Sequence, residues 1–215
     1  MNTPIIIYTL SIWAAGLFDI ILFICSLIYC TRTPAPRCLK IFPFYAALNI
    51  VSDIISLSCP KLLLADYVVF SLLEMLYFSL ILTSAINRKR STRIIWLING
   101  IAIAALTVLT RSNLSLLEGL LLHFEALIII SGTLMYLGAL TSRSSTAQLS
   151  GEPLFWFSIG LTFYFFMELA ILFITGSYSF TQKPVLSTAF YSVNNYVAVC
   201  TYTLFIKGMS CIPKK

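Results

Sequence analysis

The chain has 215 residues, of which 59% are hydrophobic and 10% are charged, and its formal net charge is +6. Soluble domains carry roughly 25% charged residues, so this chain has too little polar surface to cover a globule in water. The composition excludes a soluble globular protein and predicts an all-α polytopic bundle in the lipid bilayer. The positive charge needs no nucleic acid as a partner, because the topology of a membrane protein accounts for it.

Apolar runs recur along the whole chain, and each is close to the ~20 residues that a helix needs to cross a bilayer. The fourth run, IIWLINGIAIAALTVLT, is the shortest, and the third carries Glu74, so six spans is the alternative count. The first run is too long for a signal peptide, and MNTP before it is not basic. Residues 1–215 are expected to form one transmembrane domain with no soluble domain. In chain order the seven predicted transmembrane helices are Ile5–Cys30, Ile41–Cys59, Tyr67–Ile86, Ile94–Thr110, Leu116–Leu140, Leu154–Thr175 and Leu186–Ile206.

Lysine and arginine are distributed unevenly between the two sets of connecting segments. Of the 14 in the chain, Lys61, Arg111 and Lys183 lie on one side, and all the others lie on the opposite side. Because cytoplasmic loops are enriched in basic residues, the N-terminus is predicted outside and the C-terminus in the cytoplasm. We therefore expect a multi-pass protein of the inner (cytoplasmic) membrane.

Ionisable side chains inside the predicted spans are the strongest functional signal, since they are costly in a bilayer and usually face the bundle interior. Five carboxylates and the single histidine lie within spans, and no lysine or arginine lies deep in any span to pair with them. At ~1.5 Å per residue, most of these groups lie roughly 10 Å below the outer end of their helix. The predicted ligand-binding residues of this polar layer are Asp53, Glu74, Glu125, Glu168, Asn194 and Asn195. The expected secondary polar residues are Asp19, Asn49, His123, Tyr164 and Tyr191.

The segment LLHFEALIII places His123 and Glu125 only two residues apart. With 3.6 residues per turn, their side chains point about 200° apart, so they do not share a proton or a metal ion. Glu125 is assigned to the polar layer, and His123 is expected to pack as a neutral imidazole against a neighbouring helix. A single histidine and the lack of a CxxC pair predict neither a metal site nor a cofactor.

Two interpretations of the polar layer are open. In the first, protonated carboxylic acids serve as hydrogen-bonding contacts between helices, worth ~0.6–2 kcal/mol each. In the second, the carboxylates line a solvated cavity that opens to the outer side. The concentration of five carboxylates in one layer without a cation favours the cavity.

The first and fifth spans share a pattern, LFDIILFICSLIY and HFEALIIISGTLMY. Each is followed by a basic loop and two further spans, which suggests a 3+1+3 repeat, the plan of several small seven-helix carriers. The Pro-Gln pair that marks such carriers is absent from this sequence.

Four segments of the chain carry a resemblance to a known group: LLEMLYFSLIL, FEALIIISGTLMYL, EPLFWFSIGLTFYF and NNYVAVCTYTLFIKGM. They resemble small, uncharacterised seven-helix membrane proteins of Bacteroidota. The resemblance implies a sensory or signalling module associated with histidine kinases, with Glu74, Glu125 and Asn194 at the matching polar positions.

The leading hypothesis is a receptor-like or sensory membrane protein that acts through a partner at its cytoplasmic loops. The alternatives are a small-solute or proton-coupled carrier and a structural subunit of a membrane complex. An intramembrane enzyme is disfavoured, because the sequence contains no G-x-S-x-G motif and too few histidines for a catalytic zinc.

Overall fold

The computed structural model describes residues 3–31, 35–59, 63–86, 89–109, 114–142, 149–176 and 184–212. These residues form seven α-helices and one short 3-10 helix and include no strand, which confirms the predicted all-α class. The helices are α1 (Thr3–Cys30), α2 (Phe42–Ser58), α3 (Leu63–Ile86), α4 (Lys89–Leu109), α5 (Leu114–Thr141), α6 (Pro153–Gly176) and α7 (Pro184–Ser210), and the 3-10 helix Arg37–Ile41 precedes α2.

Each predicted span corresponds to one of these helices, and every helix except α2 extends beyond its predicted span at one end or both. Helix α4 begins at Lys89, whereas its predicted span begins at Ile94. This difference has a simple cause, because backbone hydrogen bonds continue a helix into polar residues that lie outside the hydrocarbon layer.

Within the described residues, five helices are long and apolar enough to cross a membrane, which is the property of a multi-pass membrane protein. They lie in α1, α2, α3, α5 and α6. The described part of α4 supplies a shorter apolar stretch, Arg93–Ala104, and α7 is not among the five. Asn194, Asn195 and several tyrosines and threonines make α7 more polar than the other long helices.

The surface of the bundle is apolar and part of its interior is polar, the reverse of a soluble protein. Trp13, Leu57 and Phe173 are 74%, 73% and 68% exposed, whereas Asp19 and Glu125 are only 4% and 1% exposed. An apolar surface of this kind indicates a lipid environment, in which polar groups gain by facing one another inside the bundle.

The main packing contacts arrange six helices in a closed ring in the order α1, α2, α3, α5, α6, α7 and back to α1. Helix α4 lies outside this ring and packs on α3 and α5. The six helices of the ring are those whose sequences carry the predicted polar layer, and α4 carries none of it.

Contacts between ring helices show that neighbours along the chain run in opposite directions. In α2 and α3, for example, Tyr45 meets Glu74 and Ser52 meets Asp66. Helices α1 and α7 run in the same direction, because Ser11 meets Asn195 and Asp19 meets Tyr202. We call the end of the bundle where α1, α3, α5 and α7 begin the upper end, and the opposite end the lower end.

Five phenylalanines from α2, α3, α6 and α7, each at most 1% exposed, pack together inside the ring: Phe42, Phe78, Phe157, Phe165 and Phe205. In this phenylalanine cluster, the rings of Phe157 and Phe205 stack with their centroids 4.7 Å apart, and Phe42 meets Phe157 edge-on at 4.9 Å. Gly160 makes the close approach possible, because a Cβ there would lie 2.9 Å from the Phe205 ring. The cluster fills the interior between α2, α3, α6 and α7 at this level.

Candidate functional site

Glu74 of α3 lies inside the ring and is half-buried. Its Oε1 accepts a hydrogen bond of 2.6 Å from the hydroxyl of Tyr45 on α2, which is 5% exposed. Tyr45 also stacks on Tyr77 of α3, with ring centroids 5.0 Å apart and an angle of 7° between the rings. Glu74 is therefore held in place by a hydroxyl donor and lies beside an aromatic wall.

Glu125 of α5 is the most deeply buried carboxylate of the described residues, with 1% of its surface exposed. It lies within hydrogen-bonding reach of Ser71 on α3, and its charge interacts with those of Glu74 and Glu168. Its Oε1 has no hydrogen-bond partner. We call Glu74, Glu125 and Glu168 the carboxylate cluster.

Helices α6 and α7 complete this cluster. Tyr164 is one turn from Glu168 on α6, and it lies within hydrogen-bonding reach of Asn194 on α7. The Oε2 of Glu168 and the Oδ1 of Asn194 are both buried without a hydrogen-bond partner. Four helices therefore bring the predicted residues Glu74, Glu125, Glu168 and Asn194 together.

Asp19 and Asp53 form a second group, the aspartate pair, on α1 and α2. Their side chains lie within hydrogen-bonding reach of each other. Asn49 donates hydrogen bonds of 2.7 Å to Asp19 and 2.6 Å to the hydroxyl of Tyr202. Asp19 is buried and Asp53 is exposed, so the pair runs from the surface of the bundle into its interior.

The two groups are linked through tyrosines. Tyr202, which lies beside Asp19, is near Tyr164 and Tyr45, and both of these lie near Glu74. All six helices of the ring therefore contribute polar groups to one connected network.

Three predicted residues lie at the edge of this network or apart from it. Asn195 is half-buried and donates a hydrogen bond of 3.0 Å to Ser11 on α1. His123 packs against Phe173 of α6 with the rings nearly perpendicular and 6.1 Å apart, as expected for a helix contact. Tyr191 is 61% exposed, so its side chain lies mainly on the outer surface of the bundle.

Sequence reasoning missed Asp66, which lies in the first turn of α3. Its Oδ2 accepts a hydrogen bond of 2.7 Å from Ser52, and Ser56 lies 3.5 Å away. Ser52 and Ser56 are four residues apart and share one face of α2. This pair of serines could have indicated a polar partner on a neighbouring helix. Asp66 also interacts with the charge of Asp53, so it extends the acidic groups toward the upper end.

The network is acidic and has no matching basic residues on its own helices. Helices α1, α2, α3, α5 and α6 contain no lysine or arginine, and α7 contains only Lys207 in its last turn. Among the described residues, no group of three or more His, Cys, Asp or Glu side chains is arranged to hold a metal ion. An ionised carboxylate buried without a partner costs several kcal/mol, so this arrangement suits a bound proton or an organic cation.

No protein-family model matches the chain, and no curated protein or solved structure matches it significantly.

Proposed function

We propose that the protein is a receptor-like membrane protein that binds a ligand at the carboxylate cluster and signals through a partner at its opposite end. The observation that carries this proposal is the layering of the interior. Unpaired buried acceptors lie on the upper side of a buried apolar cluster.

The registers of four helices define this layering. Relative to Tyr45, Glu74, Glu168 and Tyr202, one phenylalanine of the cluster on the same helix is displaced toward the lower end by three or four residues, which is one helical turn or about 5 Å. The pairs are Tyr45 and Phe42 on α2, Glu74 and Phe78 on α3, Glu168 and Phe165 on α6, and Tyr202 and Phe205 on α7. In this proposal the site is reached from the upper end, and the phenylalanine cluster blocks it below.

The upper end is proposed to face the outside, in a seven-span topology within the inner membrane. Alternating helix directions support seven spans, with α4 and α7 crossing beside the five more apolar helices. The described residues Arg37, Lys40, Arg93 and Lys207 are exposed near the lower end. A cytoplasmic lower end follows from their charge.

In this proposal, ligand binding at the cluster favours one packing arrangement of the ring helices over another. The ligand changes the relative populations of the two arrangements only as far as its affinities for them differ. The lower end then presents its altered loops to a partner protein, in keeping with the sensor-like resemblance.

A carrier is the second candidate function, and the arrangement of the ring favours it. The ring consists of two successive runs of three helices, α1–α2–α3 and α5–α6–α7, so exchanging the two runs leaves the order of the ring unchanged. Helix α4 lies outside the ring and connects the two runs. Asp19 and Glu125, which align in the shared pattern of the first and fifth spans, are both buried. Two similar halves around a central site are typical of carriers that expose the site alternately to each face.

The topology is tested with cysteine labelling in intact cells. A variant that keeps Cys59 as its only cysteine, at the upper end of α2, is expected to react with a membrane-impermeant maleimide. A cysteine-free variant carrying Ser142→Cys, at the lower end of α5, is expected to react only after the cells are opened. The reverse pattern would put the polar network on the cytoplasmic side and contradict the proposed orientation.

A further inference from the structure

Three hydrogen-bond acceptors of the candidate site lack a partner although they are buried: Oε1 of Glu125, Oε2 of Glu168 and Oδ1 of Asn194. Buried polar atoms are nearly always paired in folded proteins, so such atoms need an explanation. All three residues lie near Tyr164, so the unpaired acceptors lie in one region of the interior.

The burial of Glu125 distinguishes this site from a group of acidic residues on a protein surface. The side chain is 1% exposed, so bulk water does not solvate it, and leaving its Oε1 unpaired costs about 1–3 kcal/mol or more. The five ring helices other than α7 carry no lysine or arginine that supplies a donor. A ligand that brings donors and positive charge removes this cost.

A primary ammonium group has the matching chemistry. It carries three N–H donors, a positive charge and no acceptor. A metal ion fits less well, since the described carboxylates are not arranged to coordinate one. Tyr77, which is half-buried one turn from Glu74 on α3, adds an aromatic ring near the cluster, and aromatic rings attract cations.

We infer that the carboxylate cluster binds a primary organic ammonium ion, whose three N–H groups bond to Glu125, Glu168 and Asn194. This inference rests on the proposed function, because it assigns a ligand class to the same site. It also accounts for the uncharged Asn194 oxygen among the three acceptors, because an ammonium group needs three acceptors but not three negative charges.

The test is a thermal unfolding assay of the full chain in lipid nanodiscs with three probes at equal ionic strength. n-Butylammonium carries both charge and donors, tetramethylammonium carries charge without donors, and n-butanol has the alkyl chain without charge. We expect n-butylammonium to raise the unfolding temperature and the other two probes to leave it unchanged.

Matched variants assign the effect to the site. Glu125→Gln is expected to weaken n-butylammonium binding by roughly tenfold or more, because a charge-assisted hydrogen bond is lost. Glu152→Gln, the same change at an exposed residue before α6, should bind like the wild type.

Equal stabilisation by n-butanol or tetramethylammonium would overturn the ammonium assignment. If that stabilisation disappears in Glu125→Gln, a ligand site at the cluster still stands and only its class is wrong. Failure of all three probes to affect the wild type would also overturn the assignment. The proposed function would then be decided by its own experiments on topology and flux.

Discussion

Replacing Glu125 by methionine is expected to stabilise the protein in the absence of ligand. Methionine has a similar length and volume, and it removes a buried oxygen that has no hydrogen-bond partner. It also removes a carboxyl group that lies near those of Glu74 and Glu168. Because an uncompensated buried polar or charged group is costly, the free energy of unfolding should rise by about 1–3 kcal/mol.

Glu74→Met is the matched control, since Glu74 accepts a hydrogen bond from Tyr45. This substitution strands a buried phenol hydroxyl, so it should produce no gain and about 1 kcal/mol or more of loss. Both variants are compared by thermal or denaturant unfolding in the same lipid nanodiscs. If Glu125→Met is destabilised as much as Glu74→Met, the carboxylates serve as contacts between helices, and the ligand site is wrong.

Phe205→Ala is expected to cause the largest loss of stability among single substitutions in the interior. Phe205 is 1% exposed, stacks on Phe157 and meets Phe42 at a centroid distance of 5.6 Å. Truncation leaves a cavity between α2, α6 and α7, and such changes cost about 3–5 kcal/mol. Association of helices in a bilayer depends mainly on close packing, so the loss is not offset by lipid.

Phe166→Ala provides the comparison, because Phe166 is 63% exposed on the outer surface of α6. It removes the same ring where lipid replaces it, and its unfolding midpoint should stay near that of the wild type. Equal stability of Phe205→Ala and Phe166→Ala would show that the phenylalanine cluster does not hold the bundle together.

The helices and the polar interior were predictable because both follow from local pattern. Long apolar runs indicate helices of the right length, and 3.6-residue spacing assigns Glu125 and His123 to different faces. The structure gives these two residues different neighbours: Glu125 lies near Ser71, and His123 packs on Phe173.

Contacts between helices were less predictable. The spacing of polar residues indicates which face of a helix is polar, but it does not indicate how far that helix is shifted along its axis relative to its neighbour. Counting from the outer ends of the predicted spans puts Asp19 fourteen residues below Ile5 and Asp53 six residues below Cys59, yet the two lie within hydrogen-bonding reach. Such counting assumes that all helices begin at one level, whereas α1 has 28 residues and α2 has 17. Tyr191 shows that the face is not always predicted either: it is three residues from Asn194, which indicates a shared face, but it is largely exposed.

A proton-flux assay in sealed proteoliposomes most directly tests a site that is open above and blocked below. With an internal pH dye and an imposed pH gradient, the wild-type protein should give no flux above that of protein-free liposomes, with or without n-butylammonium. This result follows from the proposal that the buried phenylalanine cluster separates the carboxylate cluster from the lower end. Proton flux that depends on the protein and disappears in Glu74→Gln would contradict the receptor proposal and make the carrier the correct function.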